Sequence, residues 1–214
     1  MVETTLEKTV ARLLYLGVPA ISLFVWTNSI TDPVNVTKFL FLGAVGTAAL
    51  LLYLLRGFQT GLQTSRAAVL LIGLFVLCST MSVITSQSPL VQNLYGVYGR
   101  NTAYLTYIFL TGIFLSSLLL RNTDSFKKIF FALFATGLVN VIYCGWVIFF
   151  GDFIGWNNPY GNILGLFGNP NFIGAFLGMW ISATAGFFIS YKLEAWKRIL
   201  IALVLLLAVY EVYK

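Results

Sequence analysis

The sequence predicts an all-α, polytopic membrane protein, and three observations support this fold class. Of its 214 residues, 59% are hydrophobic and only 9% are charged, whereas soluble domains have about 25% charged residues. The apolar runs are long and continuous, unlike the short alternating segments of membrane β-barrels. The charged residues lie mainly between these runs. The composition therefore excludes a soluble enzyme, a disordered chain and a secreted disulfide scaffold.

The apolar runs predict about six full transmembrane helices. A helix needs about 20 apolar residues to cross about 30 Å of hydrocarbon. The six predicted spans are 10–28, 38–55, 67–85, 102–120, 129–150 and 171–190. We interpret the first as a retained helix, because Glu3 and Glu7 occupy the part of a signal peptide that should be basic.

A seventh run, 199–213, predicts only a partial helix. Its length is about 15 residues, or roughly 22 Å of helix, and Glu211 interrupts it. A carboxylate at the centre of a bilayer costs about 2.5–3.5 kcal/mol. We therefore expect residues 1–214 to form one transmembrane domain that is the front part of a longer protein. A short interfacial or tilted helix at the end of the chain is the alternative.

The distribution of Lys and Arg predicts the orientation of the chain. Ten of the 13 basic residues lie in the N-terminal segment and in three connections, 56–66, 121–128 and 191–198. The other three are Lys38, Arg100 and Lys214. The positive-inside rule then places the N-terminus in the cytoplasm and the polar loops 86–101 and 151–169 outside. The net charge of +6 thus indicates membrane orientation, and we predict no nucleic-acid partner.

The second outer loop ends in a pattern that favours a capped helix. Asn169 is a good N-cap, Pro170 fits the first helical position, and the span 171–190 follows. The start of a helix has free N–H groups and about half a positive charge, which suits a phosphate or carboxylate. Two interpretations remain open: an outward-facing anion or sugar-phosphate site, and a capped transmembrane helix without a ligand.

Arg100 is the only arginine on the predicted outer side, and it lies just before the fourth span. Its guanidinium offers a planar fork of donors to phosphate or carboxylate. The alternative is a side chain that snorkels at the interface beside Tyr98 and Tyr104.

In the sixth span, Gly174 and Gly178 form a GxxxG face, which we expect to pack against another helix.

Three segments resemble a known family. The stretch GLFGNPNFIGAFLG at 165–178 resembles the G-x-F-G-N-P-N-x-x-G signature of O-antigen ligase and O-antigen polymerase-like membrane proteins. A second family segment, in which an arginine precedes the start of a transmembrane span, is similar to SPLVQNLYGVYGRNTAYLTYIFL at 88–110. TDPVNVTKF at 31–39 is similar to their first outer loop, whose lysine begins the second span. The resemblance covers the whole chain in topology and about 35 residues in motif.

The resemblance implies a multi-pass glycosyltransferase of the bacterial cytoplasmic (inner) membrane. Such proteins transfer a glycan from an undecaprenyl diphosphate carrier to lipid A core, to another glycan or to a protein, on the outer side and without a metal or other cofactor. It also implies that Arg100 helps to bind the carrier diphosphate and that Asn169 and Asn171 belong to the substrate-binding loop. Gly168 and Pro170 shape that loop in the motif.

The resemblance implies that a histidine in a later outer loop acts at the acceptor. This chain contains no His. We therefore expect no catalytic residue and no activity from residues 1–214 alone. Two other function classes stay open. Asn-Pro-capped half-helices also occur in channels and transporters, which use two such motifs in an inverted repeat. A non-catalytic membrane partner in polysaccharide export is the third possibility.

Overall fold

The computed structural model describes residues 5–26, 34–97, 100–154 and 161–213. These residues form helices joined by turns, and no strand occurs within these ranges. The helices are α1 Thr5–Leu23, α2 Asn35–Leu52, α3 Phe58–Thr64, α4 Arg66–Thr85, α5 Leu90–Tyr95, α6 Tyr104–Ser117, α7 Thr123–Phe150, α8 Pro170–Ser190 and α9 Ala195–Tyr213. A π-helical turn, Tyr53–Gly57, joins α2 to α3, and a 3-10 turn, Gly165–Phe167, precedes α8. The predicted all-α class is confirmed.

Four helical segments are long and apolar enough to cross a membrane. They are the continuous segment Asn35–Thr64, and the helices α4, α7 and α8. The shorter helix α6 is also apolar. Within the described part of the chain, no residue of α4 is buried, although this helix is almost entirely apolar, and such exposed faces are suited to lipid. The fold is therefore compatible with a helical membrane protein.

The predicted basic loop at 56–66 is wrong, because the chain stays helical through the π-helical turn and α3. Arg56 therefore lies on a helix. Close packing holds this extension in place: an added Cβ at Gly57 would lie 2.5 Å from Leu119, and one at Gly61 would lie 2.5 Å from the Tyr53 ring. Tertiary contacts thus continue the helix beyond the end of the apolar run.

Three further helices differ in length from the predicted spans, and α7 is one of them, because it begins at Thr123 and not at 129. The predicted span 102–120 is a shorter helix, α6, which ends at Ser117. In contrast, α9 begins at Ala195, before the predicted start at 199, and has 19 residues, or about 28 Å of helix. It packs against α7 and α8. Where the apolar run predicts a helix of about 15 residues, the structure therefore has one of 19 residues, which is not among the four segments long and apolar enough to cross a membrane.

Helix α1 lies at the centre of the bundle, between α2 and α7. Gly46 lies against Phe109 and Gly57 against Leu119, so α2 and α6 run parallel. Helices α7 and α8 are antiparallel, because Trp180 covers Gly137 whereas Phe187 stacks on Phe130. This alternation of direction gives the bundle two ends.

We call one end of the bundle the GNPN end, after the GNPN segment at residues 168–171. Helices α1, α4 and α7 finish there, and α2, α6 and α8 start there. We call the other end the basic end, after the connections at 121–128 and 191–198, and α4, α7 and α9 start there. Two contacts join the connections at the GNPN end: the Phe39 and Tyr95 ring centroids are 5.9 Å apart, and Lys38 lies 5.0 Å from the Phe167 centroid. The predicted grouping of the polar loops at one end is confirmed, and the cytoplasmic N-terminus stays a prediction.

A buried carboxylate fixes α1 against α7 at the basic end. Oε1 of Glu7 accepts hydrogen bonds from the backbone N–H groups of Arg121 and Asn122, at 2.7 and 2.6 Å. Helix starts carry N–H groups without an intrahelical acceptor. An acidic residue of the first helix thus satisfies donors that lie more than a hundred positions later in the chain.

Two glycines differ in the space around them, and this difference predicts that their substitutions affect the stability of the chain differently. A Cβ on Gly112 of α6 would collide with the carbonyl oxygen of Gly46 on α2. Gly73 of α4 has open space at the same position. We expect Gly112→Ala to reduce the stability of the detergent-solubilised chain by about 1–3 kcal/mol, because backbone cannot move aside cheaply.

The control is Gly73→Ala, which adds the same methyl group to an open helix surface. Its midpoint in a thermal unfolding measurement is expected to stay level or rise slightly, because Ala favours helix by about 1 kcal/mol over Gly. Equal midpoints for the two variants would contradict the close contact between α2 and α6.

Candidate functional site

The GNPN segment is a tight turn that ends in a capped helix. Gly168 has φ +64°, and a Cβ there would lie 2.7 Å from Val34, so this backbone position suits glycine alone. Asn169 is extended, and its Oδ1 accepts a hydrogen bond of 2.9 Å from the backbone N–H of Asn171. Pro170 is the first residue of α8. The predicted cap is confirmed.

A buried amide on α7 anchors the 3-10 turn before this segment. Oδ1 of Asn140 accepts a hydrogen bond of 3.2 Å from the backbone N–H of Leu166, and its Nδ2 donates to the Thr136 carbonyl at 3.0 Å. Asn140 is fully buried. We infer that its amide fixes the position of the turn, because both of its polar atoms are used.

Lys38 is the second anchor, and it joins three parts of the chain. Its Nζ donates hydrogen bonds to the carbonyls of Ile21 and Ser22, at 3.2 and 2.5 Å. These carbonyls lie in the last turn of α1, where oxygens lack intrahelical donors and the helix dipole is negative. The same ammonium lies 5.0 Å from the centroid of the Phe167 ring. Lys38 therefore binds the end of α1 to the turn that precedes α8.

Arg100 lies at the same end, and no hydrogen bond or ion pair joins its side chain to the GNPN segment. It follows a turn in which its backbone N–H donates to the Val97 carbonyl at 3.0 Å. The side chain is exposed, and it makes no hydrogen bond or ion pair with any residue in the described ranges. Its guanidinium is thus available to a ligand, whereas the ammonium of Lys38 is occupied.

The two predicted asparagine sites differ in availability. The side-chain oxygen of Asn169 is used in the helix cap. Asn171 is exposed, and it lines a cavity of about 290 Å³ beside the start of α8, together with Asn162, Gly174 and Glu211. The structure therefore gives Asn169 a role in shaping the loop and leaves the Asn171 side chain accessible.

The expected packing role of Gly174 and Gly178 is wrong within this chain. A Cβ at either position would meet no atom of the described residues within 4 Å. The buried face of α8 instead carries Ile173, Leu177 and Trp180. The glycines lie on other faces of the helix, so the helices that pack against α8 do not cover them.

Glu211 is a buried residue whose environment the sequence did not reveal. Only 4% of its surface is exposed, and its carboxyl oxygens face the backbone of Gly145 without a hydrogen bond of good geometry to any residue that the structure describes. A Cβ built on Gly145 would lie 3.3 Å from Oε1, so the carboxylate lies against α7. The sequence places Glu211 in an apolar run, but only the packing of α9 shows that it is enclosed.

No metal site is assembled in the ranges that the structure covers. They contain no group of three or more His, Cys, Asp or Glu side chains placed to hold a metal ion.

Comparison with known proteins finds no family model, no characterised protein and no solved structure that matches the chain. The chemistry of the site therefore rests on its own residues.

The role of Lys38 leads to a local prediction. Lys38→Met keeps the length of the side chain but removes the donor from the α1 carbonyls and the cation from Phe167. Hydrogen bonds to charged groups contribute about 1.5–3 kcal/mol, so we expect backbone hydrogen exchange in 161–169 to be at least about tenfold faster. Mass spectrometry of the corresponding peptide measures this.

The matched control is Lys8→Met, which removes an exposed lysine of α1 at the opposite end. We expect exchange in 161–169 to be unchanged in this variant. If Lys38→Met also left it unchanged, the anchoring role of the ammonium would be refuted.

The environment of Glu211 leads to a prediction about stability. A buried polar group without a partner costs about 1–3 kcal/mol, so we expect Glu211→Leu to raise the thermal unfolding midpoint. Glu194→Leu is the control, because Glu194 is exposed and pairs with Lys197 on the surface, where such pairs contribute about 0–1 kcal/mol. A lower midpoint for Glu211→Leu would mean that the carboxylate has a partner.

Proposed function

We propose that the chain belongs to the membrane-embedded part of a glycosyltransferase of the O-antigen ligase or polymerase type. The donor is a glycan linked to undecaprenyl diphosphate, and the acceptor is lipid A core, another glycan or a protein. The reaction takes place at the outer side of the bacterial cytoplasmic membrane. The observation that carries this proposal is the GNPN segment, whose fixed turn and capped helix lie at the same end as the exposed guanidinium of Arg100.

The form of the GNPN segment supports the resemblance of its sequence. Gly168 adopts a left-handed conformation against Val34, Asn169 caps α8, and Pro170 begins it. The segment is also anchored twice, by Asn140 and by Lys38.

The availability of Arg100 supports its role toward a diphosphate. The transfer forms a bond between the acceptor hydroxyl oxygen and the anomeric carbon of the glycan. The bond from that carbon to the diphosphate oxygen breaks, the diphosphate leaves with the electron pair, and the proton of the acceptor hydroxyl passes to water or to the released diphosphate. Negative charge therefore grows on the leaving group, and a guanidinium that donates to it stabilises the transition state. Arg100 is exposed and has no ion-pair partner among the described residues, so none of them competes with the diphosphate.

The start of α8 supplies the second contribution in this proposal. The dipole at a helix start favours an anion or a polar sugar group, while Pro170 has no N–H and the N–H groups of Asn171 and Ile173 are bonded to Asn169. Asn171 adds an amide that both donates and accepts hydrogen bonds, and it borders the cavity beside this helix start. In this arrangement, Arg100 binds the diphosphate and Asn171 contacts the adjacent sugar.

The test is glycan transfer in membranes that contain the whole protein, the lipid-linked glycan and the acceptor. We expect Arg100→Ala to lower the rate of transfer by about 10²-fold, the scale for loss of one donor to a developing anion. Arg100→Lys keeps the charge without the planar fork and should recover part of the rate.

The matched control is Arg66→Ala, an exposed arginine at the basic end, for which we expect transfer to stay within about twofold at equal protein level. Unchanged transfer by Arg100→Ala at the same protein level would remove Arg100 from the proposal. Absence of transfer by the unmutated protein, with flux of a solute in proteoliposomes instead, would favour the channel or transporter class.

A further inference from the structure

An apolar groove runs between α7 and α8 toward the basic end of the bundle. It consists of two recesses, of about 500 and 280 Å³, that share Phe130 and Ala183. We call it the α7–α8 groove. Phe131, Phe187 and Met179 line it further, and Gly186 forms part of the recess nearer the basic end. The walls are therefore almost entirely apolar and rich in aromatic rings.

The mouth of this groove has a different character from its walls. Thr123, Lys127, Ser190 and Tyr191 line the recess at the basic end, so hydroxyl groups and an ammonium meet where the apolar surface stops. Thr123 is also the first residue of α7. The groove is thus amphiphilic, with an apolar body and a mouth of hydrogen-bond donors.

The chain segments around the mouth carry a surplus of positive charge. Residues 121–128 and 191–198 contain six basic and two acidic side chains. Both acidic groups are paired at the surface, Asp124 with Lys127 and Glu194 with Lys197, each at 3.2 Å. Lys128 and Lys192 are exposed and take part in no ion pair within the described ranges. Lys127 at the mouth is thus paired, and the uncompensated positive charge that an anionic group meets comes from the neighbouring Lys128 and Lys192.

We propose that the α7–α8 groove is a binding site for an anionic phospholipid. An acyl chain lies between the aromatic side chains of α7 and α8, and the phosphate lies at Thr123, Lys127 and Ser190. A zwitterionic phospholipid fills the same groove without using the surplus of charge. Each basic residue near a membrane surface contributes about 1 kcal/mol toward anionic lipid, which gives the groove its selectivity.

The charge of the mouth also argues against a second copy of the chain as the occupant. A two-fold interface brings the same surface of both copies together, so two basic mouths would face each other. Like charges across an interface are unfavourable. This site lies at the end of the bundle opposite to the GNPN segment, so it is independent of the proposed transferase function.

The experiment measures lipid binding to the purified chain by native mass spectrometry. Phosphatidylglycerol and phosphatidylcholine with identical acyl chains are added in turn. We expect phosphatidylglycerol to bind at least about fivefold more tightly, which corresponds to the contribution of one basic residue. Lys127→Gln combined with Lys128→Gln should reduce this preference to about twofold or less, whereas Lys8→Gln with Arg12→Gln should preserve it.

A second pair of variants tests the groove itself. Gly186 and Gly178 both lie on α8 and both have open space at the Cβ position, but only Gly186 lines the groove. Gly186→Leu should weaken binding of both lipids by about tenfold, because its side chain occupies the acyl position. Gly178→Leu should bind them as the unmutated chain does.

Three results would overturn the proposal. The first is equal binding of the two lipids by the unmutated chain. The second is equal binding by Gly186→Leu and Gly178→Leu. The third is a dimer that Gly186→Leu dissociates, which would assign the groove to a second copy. A phosphatidylglycerol preference that Lys127→Gln with Lys128→Gln retains in full would overturn it as well, and because these are surface substitutions, this result counts even where a groove variant fails to fold.

Discussion

The structure depends on one constraint, which is that apolar helices must satisfy their backbone polar groups at their ends. Within hydrocarbon, only the chain itself can supply partners for N–H and C=O groups. Side chains from distant parts of the sequence do this here. Glu7 accepts from the N–H groups that precede α7, and Lys38 donates to the last carbonyls of α1. The first contact lies at the start of α7 and the second at the end of α1, and each holds a second helix beside it.

The candidate site follows from the same constraint. Asn169 caps α8, and Asn140 and Lys38 hold the turn before it. Polar groups that would otherwise bind a ligand are thereby used within the fold. Among the predicted site residues, the side chains that remain accessible at this end are Arg100 and Asn171. The side chains whose polar groups are bonded within the fold therefore build the loop, and the side chains without such bonds are the ones that a substrate can reach.

Several features of the fold and the site could be predicted because they depend on local chemistry. The cap at Asn169 and Pro170 is a property of neighbouring residues, and the apolar runs give α4, α7 and α8 within a few positions. The packing of Gly174 and Gly178 could not be predicted, because a GxxxG pattern does not state which face a neighbour covers. The Gly46–Gly112 contact was not predicted either, because neither glycine belongs to a GxxxG pattern.

The sequence by itself determined the helical class, the grouping of polar loops at one end and the turn that begins α8. These follow from hydropathy and from backbone preferences, which act over a few residues. Only the tertiary structure decided that α3 extends α2, that Lys38 contacts both α1 and Phe167, and that Glu211 is enclosed beside Gly145. These features depend on which helices become neighbours, and this choice is made by the packing of side chains far apart in the chain.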